Sequence, residues 1–95
     1  GIGGATALAM GEKLAALAAG RQVLVVTHLP QVAAFADTHL VVERNGSRAE
    51  VRRVTGDDRL QELTRMLGGL PASERGKSHA AELLEAAARR RTKTR

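Results

Sequence analysis

The sequence predicts a mixed α/β fold, and three observations carry that prediction. Val23-Leu24-Val25-Val26 is an uninterrupted aliphatic run, rich in β-branched residues, the pattern of a strand that is apolar on both faces. Asn45-Gly46 is a strong tight-turn pair, and strand-forming stretches flank it on both sides. The remaining segments carry leucines and alanines at helical spacing.

Gly1-Ile2-Gly3-Gly4 reads as a flexible lead into a helix over Ala5–Ala19, where Leu8, Leu14 and Leu17 stand among many alanines. Alanine has the highest helix propensity. Thr6 is a weak candidate N-cap, and Gly20 suits the C-terminal end. The run Val23–Val26 follows as a central, buried parallel-type strand that closes on Thr27-His28-Leu29-Pro30. Pro30 suits the first turn of a short helix over Gln31–Ala36, because its missing N–H would be unpaired there in any case. Asp37 and Thr38 break that helix.

His39–Glu43 reads as the next strand and Arg48–Val54 as its antiparallel partner, with Asn45-Gly46 in a type I′ turn that brings Glu43 near Arg48. Ala49, Val51 and Val54 stand among charged neighbours, so the hairpin has one wet face. Gly56 and Asp57 start a helix over Asp58–Leu67, with Leu60, Leu63 and Leu67 on one stripe, and Gly68-Gly69 stops it. Ser73 opens the last helix, whose apolar stripe is Ala80, Leu83, Leu84 and Ala87. A strand buried on both faces needs neighbours, and the hairpin does not supply a full sheet.

Composition explains why such a chain leans on something else. At 95 residues it hides only about 60–65% of its unfolded surface. Phe35 is its sole aromatic, so the core is aliphatic and thin. With no cysteine, disulfides and thiolate metal sites are excluded, which fits a reducing cytoplasm. No apolar run approaches the roughly 18 residues of a membrane span, and residues 1–9 lack a signal peptide's basic start.

The net charge of +5 is a property of one end. Arg89, Arg90, Arg91, Lys93 and Arg95 follow the last acid, Glu85, and without them ten basic residues stand against ten acidic ones. This divides the chain into a neutral body, residues 1–88, and a basic tail, residues 89–95, expected to be a solvated, frayed end or an exposed helix end. Such a tail can also bind phosphate nonspecifically.

His28 is the residue that stands out for chemistry. It lies at the carboxyl end of the expected strand, where ligands of open parallel sheets bind, and a histidine there can touch a phosphate and orient a water. The plain alternative is a histidine that hydrogen-bonds within a strand-to-helix turn. The opening glycines do not form a phosphate-cradling loop, since no Gly-Lys-Ser/Thr ending and no preceding strand accompany them. His39 and His79 read as structural or exposed, and no metal-ligand spacing is present. Ser47, Ser73 and Ser78 lie in turn or helix-start contexts, which gives no Ser-His-Asp arrangement.

Val23–Ala36 resembles the switch-histidine segment of the RecN family, bacterial repair ATPases related to the SMC and ABC ATPases, and Thr27-His28-Leu29-Pro30-Gln31-Val32-Ala33 is its most specific stretch. Gly1-Ile2-Gly3-Gly4-Ala5 is similar to that family's loop after the Walker B acids, and Leu63–Gly69 and His79–Leu84 resemble its closing helices. The match runs to about Ala88, short of the basic tail.

The resemblance implies the C-terminal part of an ABC/SMC-type P-loop NTPase head. It implies that His28 is the switch histidine at the terminal phosphate of ATP. Gly1, Ile2, Gly3 and Gly4 would be the end of the D-loop, which crosses to the partner head, and Gln31 would stand near the site. The implied partners are the rest of the head, a second head in an ATP-dependent homodimer and, through the parent protein, DNA; no membrane is implied. The implied setting is the cytoplasm, at the nucleoid, in double-strand break repair and recombination. The Walker A lysine, the signature loop, the Walker B Asp-Glu pair and the family's coiled coil do not appear in these 95 residues. Phosphoryl transfer needs those parts together with magnesium. ATP and magnesium are thus expected on the complete head, and this chain alone is expected to bind them poorly and to be inactive. A competing reading is a small nucleic-acid-binding or interaction module acting through the basic tail.

Overall fold

The computed structural model describes residues 3–94 and has the order α1 (Gly4–Leu17), α2 (Pro30–Ala33), β1 (His39–Asn45), β2 (Arg48–Val54), α3 (Gly56–Met66) and α4 (Glu74–Thr94). It is mixed α/β, as expected. The four helices pack together, and the hairpin stands beside α3.

Two small clusters form the core, and Leu84 of α4 packs against both. In one, Ala15, Ala34, Phe35 and Ala87 are buried, with Leu8, Leu83 and Leu84 against them. In the other, Ala33, Leu63 and Ala80 are buried beneath Leu60, Met66 and Leu67. The expected stripes of α3 and α4 are therefore the ones that pack.

The alanines and glycines of these stripes allow close approach. A Cβ on Gly11 would stand 2.7 Å from Cε2 of Phe35 and 3.1 Å from the carbonyl oxygen of Gln31, so α1 lies tight on α2. A Cβ on Gly76 would collide with the methyl of Thr64, which fixes how near α4 comes to α3. Thr64 is fully buried, and its hydroxyl donates to the carbonyl of Leu60 at 2.6 Å.

Helix ends follow the sequence in part. At the end of α3, Gly68 takes φ 87°, its N–H donates to the carbonyl of Arg65 at 3.0 Å, and Gly69 N–H donates to that of Thr64 at 2.9 Å. That double bond pattern is a Schellman stop. Asp57 and Asp58 in its first turn and Arg65 in its last suit the helix dipole. Ser73 caps α4 as expected, its hydroxyl accepting from Gly76 N–H at 3.1 Å. Thr6, by contrast, lies inside α1; the N-cap is Gly3, with no side-chain cap bond.

Three expectations are corrected. Val23–Val26 belongs to no helix or strand, and the only sheet among the described residues is the β1–β2 hairpin. Leu24 is 84% exposed and Val26 96%, the reverse of a central strand. An apolar run becomes a buried strand only beside ladder partners, and the hairpin has already paired with itself.

The second correction is in the hairpin. Its register pairs Asn45 with Arg48 and Glu43 with Glu50, so the loop is Gly46-Ser47 and Glu43 does not face Arg48. Gly46 alone carries positive φ, at 65°, which matches a type II′ loop and not type I′. Glu43 instead takes two bonds from Arg52, at 2.7 and 2.9 Å, the diagonal partner across the pair of like charges. The face turned outward bears Leu40, Val42, Ala49 and Val51, so it is the apolar side that is wet, while Val54 is buried on the other.

The third concerns the tail in part: the expected helix end is there, but it is not wholly exposed. α4 runs without a break through Arg89, Arg90 and Arg91 to Thr94. Arg90 Nε donates to Glu12 at 2.7 Å, and Arg91 pairs with Asp37. These two arginines are folded onto α1 and the turn after α2, and they do not trail into solvent. Arg95 lies outside the described residues.

Candidate functional site

The candidate site is the turn that enters α2, and local chemistry explains its shape. Thr27 Oγ1 accepts a hydrogen bond from Leu29 N–H at 3.0 Å, closing a tight hydroxyl turn around His28. Leu29 is the N-cap of α2, and its carbonyl accepts from Val32 and Ala33 N–H, both at 3.0 Å. Pro30 follows at the first helical position and is buried. The result presents the exposed His28 side chain at the lip of a turn whose next residues are held down.

Gln31 is half-buried, and its amide nitrogen lies 3.6 Å from the point where a Cβ on Gly4 would stand. The structure thus brings Gln31 against the start of α1. Gly3 caps α1 in extended conformation with open space around it. Gly1 and Ile2 lie outside the described residues. Of the expected site residues, Gly4 and Gln31 are together, and His28 stands three residues before Gln31 on the same short segment.

The site is a lip and not a pocket. Two shallow hollows lie elsewhere, one between Arg52 of β2 and α3 and one between the Gly68-Gly69 loop and the start of α4, and His28 lines neither. Among the described residues no three His, Asp or Glu side chains gather as a metal cage, and no helix is long and apolar enough to cross a membrane.

The C-terminal end of α2 is held by a residue that sequence reasoning missed. Arg59 of α3 is half-buried, and its Nη2 donates to the carbonyls of Ala36 at 2.9 Å, Ala33 at 3.3 Å and Ala34 at 3.4 Å. Burial, then the nearby Arg91 charge, pull its pKa below the usual arginine value, and Asp37 opposes them. A guanidinium still remains charged. The available signal was position: Arg59 lies four residues before Leu63, so it sits on the buried stripe of an otherwise apolar face.

His39, at the start of β1, is buried, in keeping with a structural role. Burial, then Arg59, lower its pKa below the usual histidine value, against a smaller upward pull from Glu62. His79 is exposed on α4.

No family model matches the chain. Its similarity to individual proteins is high. It is 57% identical over 89 residues to the DNA repair protein RecN of Mycobacterium leprae, covering 92% of this chain and 15% of that protein. It is 50% identical over 91 residues to RecN of Streptomyces coelicolor, covering 92% of this chain and 16% of that protein. It is 52% identical over 88 residues to RecN of Deinococcus radiodurans, covering 88% of this chain and 15% of that protein. Identity of this degree along nearly the whole chain makes this a RecN-family sequence that spans about 15% of the length of the curated relatives it matches.

Proposed function

We propose that this chain is the C-terminal part of an SMC/ABC-type ATPase head in an ATP-dependent DNA repair and recombination protein, with His28 as the switch histidine. The observation that carries the reading is the turn at Thr27–Pro30. It holds an exposed imidazole at the entry to a pinned helix, with Gln31 packed against the glycine end of α1. Loop end and histidine segment are the two parts of this chain that the reading assigns to the nucleotide.

In this reading His28 donates a hydrogen bond to the terminal phosphate and orients the attacking water. The rest of the head holds the β-phosphate and magnesium, which supply charge neutralisation when bound. Gly3 and Gly4 end the loop that crosses to a second head. The exposed strip Leu24–Val26 and the outward apolar face of the hairpin support the reading, since both present surface that a larger sheet would cover. The tail-binding alternative is less favoured, because Arg90 and Arg91 are engaged with Glu12 and Asp37.

The test is made in the full-length protein. His28→Ala should lower ATP turnover on the order of a hundredfold, the usual loss for one aimed donor, while ATP affinity changes far less. Unchanged turnover would remove His28 from the mechanism.

A further inference from the structure

We infer that Arg59 is a positioning residue for His28, acting through α2 as a short rigid lever. The inference rests on the reading of His28 given above. α2 is only four residues, about 6 Å long, so its two ends lie about one turn apart. Its N-terminal end carries the turn with His28. At its C-terminal end the Ala33 carbonyl accepts from Ala36 N–H at 3.1 Å, and one Arg59 nitrogen bonds the carbonyls of Ala33, Ala34 and Ala36.

The clamp is reinforced from two sides. Asp37, next in the chain, is paired with Arg91 of α4. Phe35, beneath, is buried against Gly11 of α1. The guanidinium therefore links the entry helix of the candidate site to α3, and through Asp37 and Arg91 the same turn is linked to α4. Arg59 reaches the carbonyls at the C-terminal end of α2 and not the His28 turn itself. Its effect on chemistry is the placement of His28, and a misplacement of about 1 Å costs on the order of a hundredfold in rate.

The test uses the full-length protein with four variants: His28→Ala, Arg59→Lys, Arg59→Met and the double variant His28→Ala/Arg59→Lys. ATP turnover, ATP affinity and thermal midpoint are measured for each. Lysine keeps charge and stem but lacks the planar fork, so Arg59→Lys should fold and lose about tenfold in turnover, with ATP affinity within about twofold. Arg59→Met should lose more. In the His28→Ala background, Arg59→Lys should cost almost nothing, because the group it positions is gone.

Full turnover in Arg59→Lys and Arg59→Met would overturn the inference. So would a loss that persists undiminished in the His28→Ala background, since Arg59 would then act elsewhere. If Arg59→Met fails to fold, the cycle with Arg59→Lys decides alone. Failure of the parent reading is distinguishable: it appears as unchanged turnover in His28→Ala itself, which would overturn both. A normal His28→Ala defect with an additive Arg59→Lys defect overturns only the positioning role.

Discussion

Arg90 Nε donates to Glu12 Oε1 at 2.7 Å, joining α4 to α1 across 78 residues of sequence. The side chains are 38% and 28% exposed, so the pair is partly shielded from water. It ties Arg90, in the expected tail, to α1.

Breaking this pair should cost little but measurably. Arg90→Ala and Glu12→Ala should each destabilise the chain by up to about 1 kcal/mol, with the double variant costing less than the sum. Urea unfolding of the four proteins gives the coupling. Strict additivity would mean the two charges do not interact in solution.

Gly11→Ala should destabilise the chain although alanine favours helix by about 1 kcal/mol over glycine. The added methyl meets the buried ring of Phe35 and the backbone of Gln31, and overpacking of that kind costs about 1–3 kcal/mol. The net expectation is a lower thermal midpoint. A raised midpoint would show that α1 and α2 can separate freely.

Acid should weaken the fold through His39. Its folded pKa lies below the ordinary value of 6.5, so below that value the unfolded chain binds the proton more readily. The stability contributed is fully present above pH 6.5 and is lost as pH falls from there toward the folded pKa. The facing charges are Arg59, which reinforces the shift, and Glu62, which opposes it. His39→Gln should flatten the dependence of the urea midpoint between about pH 8 and 5. An unchanged slope would assign the effect to other groups.

Leu24 and Val26 should be silent here and costly in the longer protein. Each is almost fully in water, so Leu24→Asn and Val26→Thr should change the stability of this chain by no more than about 0.5 kcal/mol. In the full-length protein the same changes should lower the thermal midpoint by several degrees, because that reading buries the strip inside a sheet. Equal midpoints there would count against the proposed sheet.

The elements legible in the sequence are those whose reasons are local. The leucine stripe of α3 and its Gly68-Gly69 stop, the Ser73 cap of α4 and the proline start of α2 are each dictated by side chains within a turn of where they act. The hairpin belongs with them, since a tight turn between two strand-forming runs needs only neighbouring residues. Its register does not. Asn45-Gly46 and Gly46-Ser47 differ by one residue, and the pairing of Asn45 with Arg48 sets Glu43 opposite Glu50 and not Arg48.

The family was likewise readable from the order of residues, while the turn at His28, expected as the end of a buried strand, is shaped by Thr27, Leu29 and Pro30 with no strand before it. What only the tertiary structure decided is everything that depends on partners distant in sequence. Val23–Val26 has strand chemistry but no ladder partner, so it forms no strand and leaves Leu24 and Val26 in water. Arg59 finds the carbonyls of α2, Arg90 finds Glu12 and Arg91 finds Asp37 only once the helices are packed. A hydrophobic period states which face of an element avoids water. It carries no information about which element covers that face, and a charged side chain's partner is set by whatever the packing brings within hydrogen-bond reach.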